Sequence, residues 1–151
     1  MISLKRKQQG FTIVELLIVI VVIGILAGLV ITTFTGIQQR ARNTKRQTDI
    51  KAMHGQVEAY YASNGKYPTL ANMNDSTWRG TNMKGLDPAA LQDPKGAAQT
   101  LVDNPVANSY AYHVRAADGT TACDNTTTDC ATYTLTTTYE GGGTFAKSNL
   151  N

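Results

Sequence analysis

No proline occurs before Pro68, and the 151 residues contain only four. A helix begun near the N-terminus therefore meets no residue that removes a backbone donor until that point. Cysteine is almost as scarce, with Cys123 and Cys130 the only two. That excludes a disulfide-dense scaffold, and with His54 and His113 isolated in sequence it leaves two thiols without a supporting metal-ligand pair. Also missing are Gly-x-Ser-x-Gly, a P-loop, His-Glu-x-x-His and any Cys-His pairing with a third orienting group, so the chain does not read as an enzyme. Acid is absent from residues 1–10, where Lys5, Arg6 and Lys7 account for the whole formal net charge of +3. A nucleic-acid binder would keep its basic surface if those residues were removed; a basic head fits an orientation or targeting signal better.

What is present is a long apolar run. Phe11 to Ile31 spans 21 residues with one charge, Glu15, and otherwise only Thr12, Gly24 and Gly28 outside the aliphatic and aromatic set. As a helix it is about 30 Å long, the hydrocarbon thickness of a bilayer. A secretory signal has an apolar stretch of roughly 7 to 15 residues before its cleavage site, so this run is too long for one. A plain membrane anchor conflicts with Glu15, because an acid costs about 2.5 to 3.5 kcal/mol at the centre of an inserted helix, although less near its end. An intramembrane carboxylate is a functional residue with a partner to be found. Gly24 and Gly28, spaced as G-x-x-x-G, suit close packing between subunits or are tolerated background. Charge counting leaves the orientation open, since Arg40, Arg42, Lys45, Arg46 and Lys51 follow the run as closely as the three leader bases precede it.

The helical pattern continues past the membrane segment. Ile37, Ala41, Ile50, Met53, Val57, Tyr60 and Tyr61 fall on one broad face, while Arg40, Arg42, Lys45, Arg46, Asp49, Lys51 and Glu58 occupy others. Ser63-Asn64-Gly65 followed by Pro68 supplies the stop, which makes a helix about 80 Å long. The charges between Arg40 and Lys51 read as a solvated face rather than a DNA-binding one, because no aromatics are interleaved for base stacking. Residues 65–108 are turn-rich, with Asp87-Pro88 capping one short helix and Trp78 serving as a packing anchor. In residues 109–151 two strands alternate: Tyr110, Tyr112 and Val114 against Ala111, His113 and Arg115, then Tyr133, Leu135, Thr137 and Tyr139 against threonines. Asp118-Gly119 turns the first strand and Gly141 to Gly143 ends the second. A third strand is needed near Gln99 to Val102 or Thr144 to Lys147. The expected fold class is α+β, a small antiparallel sheet packed on the second half of the long helix.

The stretch Lys5-Arg6-Lys7-Gln8-Gln9-Gly10 followed by Phe11-Thr12-Ile13-Val14-Glu15-Leu16-Leu17-Ile18-Val19-Ile20 resembles the prepilin signal of type IV pilins and their pseudopilin relatives. The resemblance implies a pilin fold, a cytoplasmic leader over residues 1–10, cleavage after Gly10 by a prepilin peptidase, N-methylation of Phe11, and a role for Glu15 in assembly. The spacing makes chemical sense. Cleavage frees an amine at Phe11 with an ordinary pKa of roughly 7.7 to 8.0, and methylation keeps it basic. Subunits offset along a filament axis can then pair Glu15 of one with the Phe11 amine of the next, and leaving one partner unpaired costs about 3 to 5 kcal/mol.

Two further passages carry the resemblance. Tyr61-Ala62-Ser63-Asn64-Gly65-Lys66-Tyr67-Pro68 is similar to a Tyr…Asn-Gly-x-Tyr-Pro passage of many pilins and major pseudopilins. Leu91-Gln92-Asp93-Pro94-Lys95-Gly96 is similar to a Leu-Pro-x-Asp-Pro-x-Gly element of secretion pseudopilins, with Gln92 departing from it. In a domain carried outside the cytoplasm, Cys123 and Cys130 are expected to form a disulfide that contributes roughly 2 to 3 kcal/mol. No cofactor is expected. Calcium is a weaker rival, with Asp118, Asp124, Asp129 and Asn125 as oxygen ligands but no EF-hand spacing.

The division expected is a leader at 1–10, an assembly helix at 11–34, its amphipathic continuation at 35–64, a loop region with a short helix at 65–108 and the sheet at 109–151. The function expected first is that of a type IV pilus subunit: a single-pass precursor in the inner or cytoplasmic membrane, then part of an extracellular filament serving adhesion, motility or DNA uptake. Its partners would be copies of itself, the prepilin peptidase and the pilus assembly platform. The alternative is the major pseudopilin of a type II secretion system. More remote is a membrane-anchored protein that binds DNA or a surface ligand.

Overall fold

The computed structural model describes residues 10–150. Lys5, Arg6 and Lys7, expected to form the basic leader, lie outside the described residues. Helix α1 runs Ile13–Asn64, 52 residues without a proline to interrupt it, and closes where Gly65 N donates to Tyr61 O at 2.7 Å. The chain separates into two compact units between Gln39 and Arg40.

Among the described residues of the first unit, everything from Ile13 on is helix. Its apolar side chains, from Ile13 to Ile37, are all exposed, and a Cβ placed on Gly24 or Gly28 would meet nothing within 4 Å. By length and composition this part of α1 is able to cross a membrane. Ile37, expected on the buried face, is exposed here, as is Ala41 at the start of the second unit. A period-based reading extends an apolar stripe past the point where the sheet stops covering it.

The second unit begins at Arg40 and is built on the last part of α1. Ile50, Met53 and Val57, spaced three and four apart, are fully buried, which is the spacing that keeps one helical stripe facing a layer. Two short helices follow where only turns were expected: α2, Leu70–Asn74, and α3, Ser76–Asn82. Each begins at a capping side chain. Thr69 accepts from Asn72 N while the Asn72 side chain reaches back to the Thr69 backbone, and Asp75 accepts from both Thr77 N and Trp78 N. Caps so close together stabilise helices too short to show a periodicity. A single 3₁₀ turn, Pro88–Leu91, stands where Asp87-Pro88 predicts a short helix. Trp78 packs on Tyr60 with ring centres 5.1 Å apart.

The sheet holds β1 (Leu101–Val102), β2 (Tyr110–Arg115), β3 (Thr132–Thr138) and β4 (Thr144–Ser148), in that spatial order. Both regions named for a third strand are used. β2 and β3 are antiparallel, with Tyr112 opposite Leu135, and β3 and β4 likewise. β1, however, lies parallel to β2, so the sheet expected to be antiparallel is mixed. The Asn74 side-chain amide explains why so short a strand is held: it accepts from Leu101 N at 2.7 Å and donates to Leu101 O at 2.9 Å. Alternation is as expected on the covered face, where Tyr110, Tyr112, Val114, Tyr133, Leu135 and Thr137 are buried. Together with Tyr67, Met73 and Leu91 they close over the Ile50, Met53 and Val57 stripe. The hairpin from β3 to β4 turns through Gly141, Gly142 and Gly143, all with φ between 88 and 99°, a region open to glycine and strained for other residues.

Candidate functional site

At the N-terminus of α1 the sequence Thr12-Ile13-Val14-Glu15 folds as a reciprocal cap. Glu15 Oε2 accepts from Thr12 N and from Thr12 Oγ1, both at 2.8 Å, and Glu15 N donates to Thr12 Oγ1 at 3.3 Å. The first helical bond, Leu16 N to Thr12 O, follows at 3.3 Å. Thr and Glu three apart at a helix start are the sequence signature of this box, so the residues themselves carry the signal for this contact. Its consequence is chemical. A carboxylate at the edge of an apolar helix is provided with donors from its own chain, and it sits four positions after Phe11, whose nitrogen becomes a free amine if the chain is cut after Gly10. Gly10 and Phe11 are exposed.

A second cluster lies in the globular unit. Arg46 and Asp49, assigned from sequence to a solvated face, are buried. Arg46 grips Asp93 in a two-bond fork, Nε to Oδ2 at 2.6 Å and Nη2 to Oδ1 at 2.9 Å. Asp93 belongs to the Asp93-Pro94-Lys95-Gly96 element: Lys95 N donates to the same carboxylate, at Oδ1, at 2.8 Å, and Gly96 N closes the turn on the Asp93 backbone carbonyl at 2.8 Å. Gly96 is required there, because a Cβ would sit 2.7 Å from the Asn108 carbonyl.

Glu140, at the β3–β4 turn, completes the cluster. Its carboxylate accepts from Arg42 at 2.5 and 2.7 Å, from Arg46 Nη1 at 3.0 Å and from Lys95 at 2.8 Å. Its backbone N donates to Asn43 Oδ1, and its carbonyl accepts from Asn43 Nδ2. The Arg42 guanidinium, helped by Lys95 and Arg46, holds the Glu140 carboxyl far below the usual carboxylate range. The same contacts raise Arg42, through Glu140, and Arg46, through Asp93. Asp49 accepts from Tyr110 OH at 2.7 Å and from Lys45 at 2.6 Å, and burial pushes the Tyr110 phenol well up. Buried charge is tolerated only when paired and hydrogen-bonded, and here several charges and their bonds tie α1, the Asp93 loop and the β-hairpin into one register.

The loop between β2 and β3 holds the Cys123–Cys130 disulfide, formed as expected. Asn125 reinforces it, donating to Tyr67 O at 2.7 Å and accepting from Cys130 N at 2.8 Å, while Tyr67 N donates to Cys130 O at 2.8 Å. The calcium candidates are not brought together. Among the described residues no group of three or more acids, histidines or cysteines forms a metal-sized cluster. Asp118 is occupied by Thr120 and Thr121, and Asp124 by Thr126, Thr127 and Thr128. Those donors pull both carboxyls well down, Asp118 chiefly through the Thr121 hydroxyl and Asp124 chiefly through the Thr126 amide. Asp129 reaches Lys66 at 3.3 Å.

The pattern of the prokaryotic N-terminal methylation motif matches residues 5–31. The type II secretion system core protein G of Aeromonas hydrophila is 33% identical over 111 residues, covering 70% of this chain and 73% of that protein. The core protein G of Klebsiella pneumoniae is 38% identical over 106 residues, 70% of this chain and 74% of its own length. That of Escherichia coli strain K12 is 34% identical over 104 residues, covering 69% and 70%. No solved structure matches the chain significantly. The similarity to these secretion proteins runs far beyond the N-terminal motif and into the globular unit, and the chain belongs to the family of the type II secretion system core protein G.

Proposed function

We propose that the chain is a major pseudopilin, the repeating subunit of a short periplasmic filament in a type II secretion system. This replaces the type IV pilus reading as the better supported one. The observation that carries it is the extent of the similarity to core protein G, 111 residues against the 27 or so of the shared methylation motif. The Asp93 to Gly96 element, built into the charge cluster, supports the same reading.

In this function the precursor spans the inner membrane once, with the basic leader in the cytoplasm. A prepilin peptidase cuts after Gly10 and the Phe11 amine is methylated. The exposed apolar helix from Phe11 to Phe34 then leaves lipid for the filament core, where copies of the chain bury it against one another. Transfer from lipid to helix neighbours gains little hydrophobic energy, so packing and polar pairing set the register. The Glu15 carboxylate and the Phe11 amine of an adjacent subunit form that pair, and the assembly platform of the secretion system feeds subunits in. The protein acts as a structural element, not a catalyst.

Mass spectrometry of the mature N-terminus together with electron microscopy tests the reading. A methylated Phe11 terminus and short periplasmic filaments are expected; long surface fibres favour a type IV pilus, and an intact Met1 in the mature protein would falsify the maturation scheme.

A further inference from the structure

A cleft of about 500 Å³ opens beside α3, lined among others by Ser76, Arg79, Lys84, Leu86, Pro88 and Gln99. Its size falls in the range of ligand-binding clefts and far exceeds what one ion needs. Both charged residues lining it are cations, and among the described residues no acid lines it. The nearest acids in sequence are engaged elsewhere, Asp75 capping α3 and Asp87 capping the 3₁₀ turn.

Arg79 is the unusual member. It is 7% exposed, yet among the described residues its guanidinium makes one hydrogen bond, from Nη1 to the Met73 carbonyl in α2. A guanidinium carries five N–H donors, and among the described residues none of the Arg79 nitrogens is both fully buried and without a partner, so the donors not given to Met73 are within reach of solvent and open to a ligand in the cleft. Nε and Nη2 have no protein partner among the described residues and belong to a side chain that lines the cleft. Two parallel donors of that kind match a carboxylate. Lys84, exposed and outside every ion pair found among the described residues, adds a second positive charge. Leu86 and Pro88 offer apolar surface for the methylenes of a long acidic side chain.

We infer that this cleft docks a glutamate or aspartate side chain presented by an exposed segment of a partner protein, with Arg79 taking the carboxylate and Lys84 supplying the second charge. The inference goes beyond the filament function and does not depend on it.

Gly80 provides the decisive variant. It lines the cleft, and a Cβ built on it meets nothing within 4 Å, so Gly80→Leu fills the space without displacing a neighbour and improves helix propensity. The full chain in detergent micelles, titrated with acetyl-Ala-Glu-Leu-amide and followed by NMR, should show saturable shifts of the Arg79 Nε–H and of the Ser76 and Gly80 amides. The matched Gln peptide should bind about tenfold more weakly or worse, as should the Glu peptide to Lys84→Glu and to Gly80→Leu. The unfolding midpoint of Gly80→Leu should be unchanged or higher. Equal binding of the Gln and Glu peptides, no binding of either, or full binding to Gly80→Leu overturns the inference. Inorganic phosphate shifting the same resonances at lower concentration than the peptide also overturns it, assigning the site to a free anion.

Discussion

Arg46 and Asp93 lie 47 positions apart and meet in a two-bond fork with both side chains 1% exposed. Breaking one half of such a pair leaves the other as a buried charge. Asp93→Asn is therefore expected to destabilise the globular unit by about 3 kcal/mol, the lower end of the range for a broken buried pair because Glu140 still faces Arg46. Urea unfolding of the two proteins side by side measures this; a loss under about 1 kcal/mol would show that the fork contributes no more than a surface pair.

Glu140 gives the cluster a pH dependence with a definite sign. Its folded-state carboxyl lies below its ordinary value of 4.5. A carboxylate depressed in the folded state adds stability that is fully present above the ordinary value and is lost as pH falls through the folded one. Asp118 and Asp124, depressed from 3.8, act in the same direction. The unfolding midpoint should be flat from neutral pH to about 5 and should fall below about 4.5. Glu140→Gln should lower the midpoint at pH 7 and shrink the drop on acidification; an unchanged acid profile in that variant would remove Glu140 from the account.

The basic stretch Arg40 to Lys51 shows where local pattern stops being informative. Helical periodicity marked Ile50, Met53 and Val57 correctly as core, where their three- and four-residue spacing meets the covering layer, but not Ile37 and Ala41, which share the pattern and are exposed. It also placed Arg46 and Asp49 outside, since their partners Asp93 and Tyr110 are remote in sequence and no local signal names them. The same limit hid the direction of β1: its place near Gln99 to Val102 was expected, but its parallel pairing to β2, held by the remote Asn74 amide, has no local signal. α2 and α3 depend on Thr69 and Asp75 caps that were legible in principle. The N-terminal methylation motif was legible most fully, because Gly10, Phe11 and Glu15 lie together inside one contiguous pattern, while the Thr12 cap beside them needed the same local reading.

Thr12 and Glu15 can be separated by mutation. Thr12→Val keeps the side-chain shape and removes the hydroxyl, which costs the helix start about 1 kcal/mol while leaving the carboxylate in place. Glu15→Ala removes the carboxylate itself. Both precursors should be cleaved after Gly10. Filament yield should fall moderately in Thr12→Val and collapse in Glu15→Ala, as counted by electron microscopy. Normal filaments from Glu15→Ala would eliminate the intersubunit pair.

The disulfide closes a separation of seven residues in a loop that is also bonded to Tyr67. Replacing both Cys123 and Cys130 by Ser should cost roughly 2 to 3 kcal/mol. Thermal unfolding with and without reductant should show the same difference in the wild-type chain. No change on reduction would mean that the Asn125 bonds alone hold the loop.

The bond from Arg42 to Glu140 also fixes an order of events. It joins residues 98 positions apart, and the chain is made from its N-terminus. Arg42 and Arg46 are therefore synthesised 98 and 94 positions before the carboxylate they share. The α1 segment of the globular unit thus has no completed charge cluster until the β3–β4 hairpin has formed. A chain that stops between Asp93 and Glu140 still pairs Arg46 with Asp93 but leaves the Arg42 guanidinium without its carboxylate. Synthesis of the β3–β4 hairpin is in this way registered in the electrostatics of the first helix, because a chain without Glu140 carries an unpaired charge at Arg42.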